Sequence, residues 1–394
     1  MVHFQTDFLK LIKSALTSEK VDIGGSFDWA KAVSVAIRHN VCVLLYCGAY
    51  NSDITIPERF KNYLEKKVLN QTIISARQDY ELSKIVEIFE KNSIEYMPLK
   101  GMVINKYYPT PEMRYMCDAD ILIKEEQYGL IKELFEENGS EFMTESNHEY
   151  IWRKSMLNIE LHKRLIPSYN RDYYKYYGDG WSLAKPDTGC RYKLGNEDFF
   201  IYMIAHLAKH YRDGGIGIKH FTDIWVYRQK ETELDENYIR EELGKLHLTE
   251  FYDNCMKMIK SWFDNENGDA ITDFMTEHIF FGGAHGTQDN KAMSTALRKK
   301  KGAKNCKNIR FKSTIDLLFP NSDRMKKKYP FLNKYPFLIF IMWVVRGITA
   351  LVFNSENFIR CFKQLSKVND DSVNKYENDL KYVGLEFEGG GDDK

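Results

Sequence analysis

The chain has 394 residues, too many for one ordinary compact core, so about two or three domains are expected. Hydrophobic residues make up 43% and aromatics 14%, which excludes a disordered chain. Lys plus Arg equals Asp plus Glu at 56 each, so the molecule exerts no strong long-range pull on polyanions and any phosphate or nucleic-acid binding must be local.

At the N-terminus, MVHFQTDFLKLIKSAL mixes charged and apolar residues at helical spacing, with no apolar stretch ending in a small-residue cleavage site; no signal peptide is expected. The seven cysteines are scattered and lack a CxxC pair, which argues against a disulfide framework and against a zinc knuckle. The cytoplasm is the expected location. Residues 1–90 read as a helical segment: Ala30 to Tyr50 is rich in helix-forming and apolar residues, and a long polar–apolar pattern starts at Pro57 and runs to Glu90.

From Ile94 the texture changes to short apolar runs separated by turn residues, which predicts an α/β core over residues 91–190. Ile94 to Leu99 reads as a short strand, Lys100-Gly101 as a turn, and Met102 to Tyr108 as a helix. Backbone amides at such a helix start, helped by the Lys100 ammonium, form a candidate anion site; an ordinary strand-to-helix turn has the same signature. In Cys117-Asp118-Ala119-Asp120-Ile121-Leu122-Ile123, strand alternation sends the Asp118 and Asp120 carboxylates to one face, close enough to share a hard divalent cation such as Mg²⁺ or Mn²⁺. A solvated strand end is the alternative. Met156 to Arg164 (MLNIELHKR) is a second amphipathic strand, with Asn158, Glu160 and His162 on the polar face. Glu160 is the candidate third acid, a metal ligand or a base for an attacking hydroxyl, unless it only faces solvent.

Beyond Asn196 the pattern is helical again, and residues 191–385 are expected to form a C-terminal helical domain. There His206 and His210 lie one helical turn apart, and Lys219 and Asp223 follow a Gly-rich link. Substrate contact by the histidines, with Lys219 on a phosphate, competes with a structural role and with metal binding. Gly282 to Asn308 reads as a long loop or arm, and residues 386–394 as a disordered tail. The basic run 298–312 is a candidate grip for an anionic partner, RNA or lipid, or simply a solvated loop. Pro336 to Phe353 is strongly apolar but broken by Arg346 and Gly347, so a buried or membrane-touching helix is expected, with no transmembrane anchor.

Leu-Lys-Gly, a helix, Arg114, Asp118-x-Asp120 and then Ile159-Glu160-Leu161-His162 occur in an order that resembles an uncharacterised bacterial nucleotidyltransferase family of the polymerase-β-like superfamily. AIRHNVCVLLY and HLAKHYRDGGIGIKHFTDI also look like features of that family. The chain departs from the wider superfamily in having Lys-Gly where Gly-Ser or Gly-Gly is usual, and Glu as the third acid. The resemblance implies an α+β fold with a small mixed-sheet core between helical segments, and a metal-dependent transfer of a nucleoside monophosphate from an NTP to an unidentified acceptor. It further implies that Asp118, Asp120 and Glu160 are catalytic metal ligands. Lys100, Gly101, Arg114, Lys219, His206 and His210 would then lie around the NTP, Arg114 meeting phosphate or positioning the acidic strand. Three other readings stay open: a toxin-like nucleotidyltransferase acting on tRNA or another RNA, a non-catalytic NTP-binding module, and a metal phosphohydrolase built on His206, His210 and Asp223.

Overall fold

A computed structural model describes residues 3–300, 310, 314–315, 318–353 and 366–386. The chain is a mixed α+β protein that divides into two compact units: Met1–His210 with Ile216–His285, and Tyr211–Gly215 with Gly286–Lys394.

The first unit opens with α1 (His3–Thr17), α2 (Trp29–His39), α3 (Cys42–Asn51) and α4 (Glu58–Lys91). The Ala30 to Tyr50 pattern splits in two because Asn40 adopts a left-handed conformation, φ 57°, and its N–H closes α2 by bonding to the carbonyls of Ala36 and Ile37. Gly48 lets α3 lie against α1: a Cβ there would come within 1.8 Å of the Leu11 carbonyl oxygen. Asn51 Nδ2 donates to the Ser14 carbonyl across the same contact, at 3.0 Å.

A five-stranded sheet follows, in the order β1-β2-β5-β4-β3, built from β1 (Tyr96–Pro98), β2 (Asp118–Ile123), β3 (Glu141–Glu145), β4 (Glu149–Lys154) and β5 (Leu157–His162). The central pair β2–β5 is parallel and the other pairs are antiparallel. Strand alternation gives the sheet two unlike faces. Ala119, Ile121 and Ile123 of β2, with Leu157, Ile159 and Leu161 of β5 and Trp152 of β4, make one face apolar; Ile85 and Phe89 of α4 cover it, together with Ile131 and Phe135 of α6 (Tyr128–Glu137). Each large apolar side chain buried in that layer contributes about 1.5–3 kcal/mol. The opposite face carries the polar members of the same strands.

Between β1 and β2 lies α5 (Gly101–Ile104), a single turn followed by a 3₁₀ turn at Asn105–Tyr107. The unit continues through α7 (Arg171–Tyr177), α8 (Asn196–Arg212), α9 (Ile218–Lys230), α10 (Glu236–Lys245), α11 (Thr249–Phe263) and α12 (Ala270–Gly282). In α12 the side chain of Asp269 accepts from the Thr272 N–H while the Thr272 hydroxyl accepts from the Asp269 N–H, a reciprocal N-terminal cap.

In the second unit, α13 (Gln288–Lys300) lies where the Gly-, Asn- and Lys-rich composition had suggested a loop. The polar residues mask a buried stripe, Met293, Ala296 and Leu297, at helical spacing. Next come α14 (Ser322–Lys328), α15 (Ile339–Phe353) and α16 (Asp370–Tyr382). The expectation of a buried helix at 336–353 is corrected in part, since Phe337, Phe340, Ile341, Val344 and Ile348 are exposed. Among the described residues no helix is long and apolar enough to cross a membrane. Most of the basic run 298–312 and nearly all of the tail 386–394 lie outside the described residues.

Candidate functional site

The polar face of the sheet carries the acids. In the parallel β2–β5 pair, Asp118 is opposite Asn158 and Asp120 is opposite Glu160, so three carboxyl-bearing residues share one face over two strands. They line a cavity of about 310 Å³ whose other walls include Tyr202, His206 and His210 of α8 and Lys219, His220 and Asp223 of α9.

Asp120 is buried, and Lys100 Nζ at 2.6 Å and His162 Nε2 at 2.7 Å both meet its Oδ1. Burial alone would raise this carboxyl, but the Lys100 charge and the His162 contact outweigh it and hold its pKa well below the usual range. Asp118 behaves oppositely. Burial, reinforced by the negative charges of Asp120 and Glu160, pushes its pKa up to about 6. His162 Nε2 also lies 3.5 Å from Glu160 Oε2. Burial and the Lys100 charge pull the imidazole pKa down, yet hydrogen bonds to Asp120 and Glu160 prevail and it ends raised.

This crowding of acids bears on metal binding. One oxygen each of Asp120 and Glu160 and one nitrogen of His162 lie within 4.8 Å of one another, and Asp118 adds a carboxyl whose pKa is raised by burial first and then by the negative charges of Asp120 and Glu160. An ammonium group already rests on Asp120. Asp120, Glu160 and His162 are so placed that they could hold a metal ion, and the carboxylate oxygens suit a hard divalent cation.

The turn after β1 differs from an open anion cradle. The N–H groups of Met102, Val103 and Ile104 bond back to the carbonyls of Leu99 and Lys100, so they are committed within the turn, and α5 is too short for an appreciable dipole. Lys100 itself holds φ 44° and ψ −116°, a backbone region that favours glycine, next to Gly101 rather than on it. Its side chain reaches the acids instead of lying along the turn.

Arg114 is bonded within the protein. Its Nε and Nη2 donate to Oδ1 and Oδ2 of Asp223 at 2.6 and 2.7 Å, Tyr108 adds a 2.7 Å bond to Oδ1, and Nη1 holds the Tyr115 carbonyl at 2.8 Å. This buried fork ties the segment leading into β2 to α9. Lys219 donates to the same Tyr115 carbonyl at 3.3 Å; burial, with the Arg114 charge close by, lowers its pKa to about 8.

His206 and His210 do face the cavity, but their Nε2 atoms are 3.0 Å apart and bonded to each other. Burial, then the neighbouring positive groups, keeps both pKa values far below the ordinary value, so they are neutral at pH 7. The phosphohydrolase reading loses its third ligand here, because both oxygens of Asp223 are held by Arg114. Neither grouping with metal-ligand geometry among the described residues contains His206, His210 or Asp223.

Sequence reasoning left out His162 as a site residue, although it stands two positions after Glu160 on the same strand face. It also left out His148 and Glu149, which reach the site only because β4 pairs with β5 and sets Glu149 opposite His162.

A family model described as "Uncharacterised nucleotidyltransferase" matches residues 25–264, which include the sheet, the acids and helices α8 and α9. The chain belongs to this uncharacterised nucleotidyltransferase family. No curated protein matches it, and no solved structure does. Membership of the nucleotidyltransferase family implies a nucleoside triphosphate as substrate, and the matched segment starts after α1 and ends just past α11.

Proposed function

We propose that this nucleotidyltransferase moves a nucleoside monophosphate from an NTP to an acceptor hydroxyl on the polar face of the sheet, using Asp118, Asp120 and Glu160. The observation that carries the reading is the β2–β5 register, with Asp120 opposite Glu160 and Asp118 two residues away on the same face, inside a cavity large enough for a nucleotide's phosphates. A divalent cation such as Mg²⁺ or Mn²⁺, when bound by these three acids, supplies positive charge for the triphosphate and lowers the cost of the in-line displacement.

The remaining work falls to the chain's own groups. The acceptor oxygen attacks the α-phosphorus, the bond from that phosphorus to the β-phosphate oxygen breaks, and pyrophosphate leaves. Glu160 takes the hydroxyl proton. Lys100 exchanges its contact with Asp120 for a phosphate oxygen, and Lys219 adds a second cation at the cavity wall. Arg114 holds the acidic strand through Asp223 without touching phosphate, and the neutral pair His206 and His210 offers ring faces and hydrogen bonds to the base or the acceptor.

Incubation with each α-labelled NTP and a cell extract tests this. Label is expected to transfer to a small molecule, a protein or an RNA, and Asp118→Asn with Asp120→Asn is expected to abolish transfer. Full activity in that double variant rules out the mechanism; NTP binding without any transfer in the wild type makes the chain a binding module instead.

A further inference from the structure

Next to the three acids, a second group of donors converges on His162 from its other side. His162 Nε2 faces the ionised Asp120, which can only accept, so Nε2 carries the proton. Nδ1 is buried and has no hydrogen-bond partner. It points toward Oε2 of Glu149, 4.0 Å away, too far for a hydrogen bond. The same Glu149 oxygen lies 2.9 Å from Nε2 of His148, whose Nδ1 is in turn 3.1 Å from the Ser146 hydroxyl. One nitrogen each of His148 and His162 and one carboxylate oxygen of Glu149 lie within 4.8 Å of one another.

We propose that His148, Glu149 and His162 bind a zinc-type transition-metal dication, separate from the cation of the acid trio and joined to it through the His162 ring.

Two imidazole nitrogens and one carboxylate oxygen suit zinc or cobalt, whereas Mg²⁺ prefers oxygen alone. Each histidine is also held as a ligand should be. The other nitrogen of His162 donates to the Asp120 carboxylate, and the other nitrogen of His148 is engaged by Ser146. Such partners fix the tautomer and raise ligand basicity. Four-coordinate zinc places its ligands about 3.4 Å apart, so side-chain movements of about 1 Å close the group. The cross-strand pair Glu149 opposite His162 gives it a rigid base. The ion's consequence for the acid trio is positional: it locks the His162 ring with Nε2–H on Asp120.

The test uses the full chain, stripped of metal by a chelator and titrated with Co²⁺ and Zn²⁺ without any NTP, so its outcome is separate from that of nucleotide transfer. Expected are a Co²⁺ site with a d–d spectrum typical of nitrogen and oxygen ligands, distinct from any ion on the acid trio, its displacement by Zn²⁺, and a rise in melting temperature. Affinity is expected to fall about tenfold or more in His148→Gln and in Glu149→Gln, and to persist in Glu160→Gln. Unchanged affinity in His148→Gln and Glu149→Gln overturns the proposal. So does loss of binding in Glu160→Gln alone, which moves the ion to the acid trio. The ¹⁵N shifts of His162 at saturating zinc give a second readout: a ring protonated on both nitrogens would overturn the site as well.

Discussion

Lys100 Nζ lies 2.6 Å from Asp120 Oδ1, and the residue that makes this contact sits in a backbone conformation that a side chain disfavours. The turn that delivers the ammonium to the acids is therefore strained, and the strain is separable from the charge. Lys100→Gly and Lys100→Ala remove the same ion pair, but only alanine keeps a Cβ at φ 44°. Lys100→Gly is expected to be more stable than Lys100→Ala by about 1 kcal/mol in urea unfolding, reversing the usual order of the two residues. Equal stabilities would mean that the turn relaxes. Both variants should bind NTP about tenfold more weakly than the wild type.

The Arg114–Asp223 fork makes a sharper demand on geometry. A lysine keeps the charge but cannot donate from two nitrogens in one plane. Arg114→Lys is expected to lose about 3–5 kcal/mol of stability because Asp223 and the Tyr108 hydroxyl stay buried with poorer partners. In a double-mutant cycle with Asp223→Asn, the coupling energy should account for most of the loss. Additive effects would show that the two residues act independently.

His39 predicts how stability depends on pH. It is fully buried, with Nδ1 accepting from the Ile218 N–H and Nε2 facing the Phe280 carbonyl, and burial lowers its pKa to about 4. The unfolded chain protonates this residue near pH 6.5, whereas the folded chain resists down to about 4, so the unfolded state binds more protons in that window. The stabilising contribution is complete above pH 6.5 and falls as pH drops toward 4, by up to about 3 kcal/mol. Urea unfolding at a series of pH values should show this slope in the wild type, and a smaller one in His39→Gln. An identical slope in the variant would assign the effect to other groups.

Gly48 tests the first helical layer. Its missing Cβ would overlap the Leu11 carbonyl, a backbone atom that cannot rotate away. Gly48→Ala is expected to lower stability by about 1–3 kcal/mol or more, despite alanine's better helix propensity, with melting temperature as the measurement. A gain in stability would show that α1 and α3 can slide apart.

Much of this was legible along the chain. Alternation in DADILI and LNIELH identified two strands and the side on which each acid stands, because a strand's period of two needs no partner to be read. Long apolar periodicity marked α4 and the helices from Asn196 onward for the same local reason. Three features needed the folded chain. Whether Glu160 meets Asp120 or slips past it is a matter of register between segments separated by an intervening hairpin, and pairing energy rather than local pattern sets it. The fate of Arg114 depended on Asp223 coming within reach from α9, more than a hundred residues away. His148 and Glu149 carry no signal of their own, since a His-Glu pair at the start of a strand is ordinary until antiparallel pairing puts Glu149 beside His162. The sequence determined which chemical groups were available and which face of each element they occupied. Only tertiary structure decided which of them meet, because that depends on long-range contacts a local period does not encode.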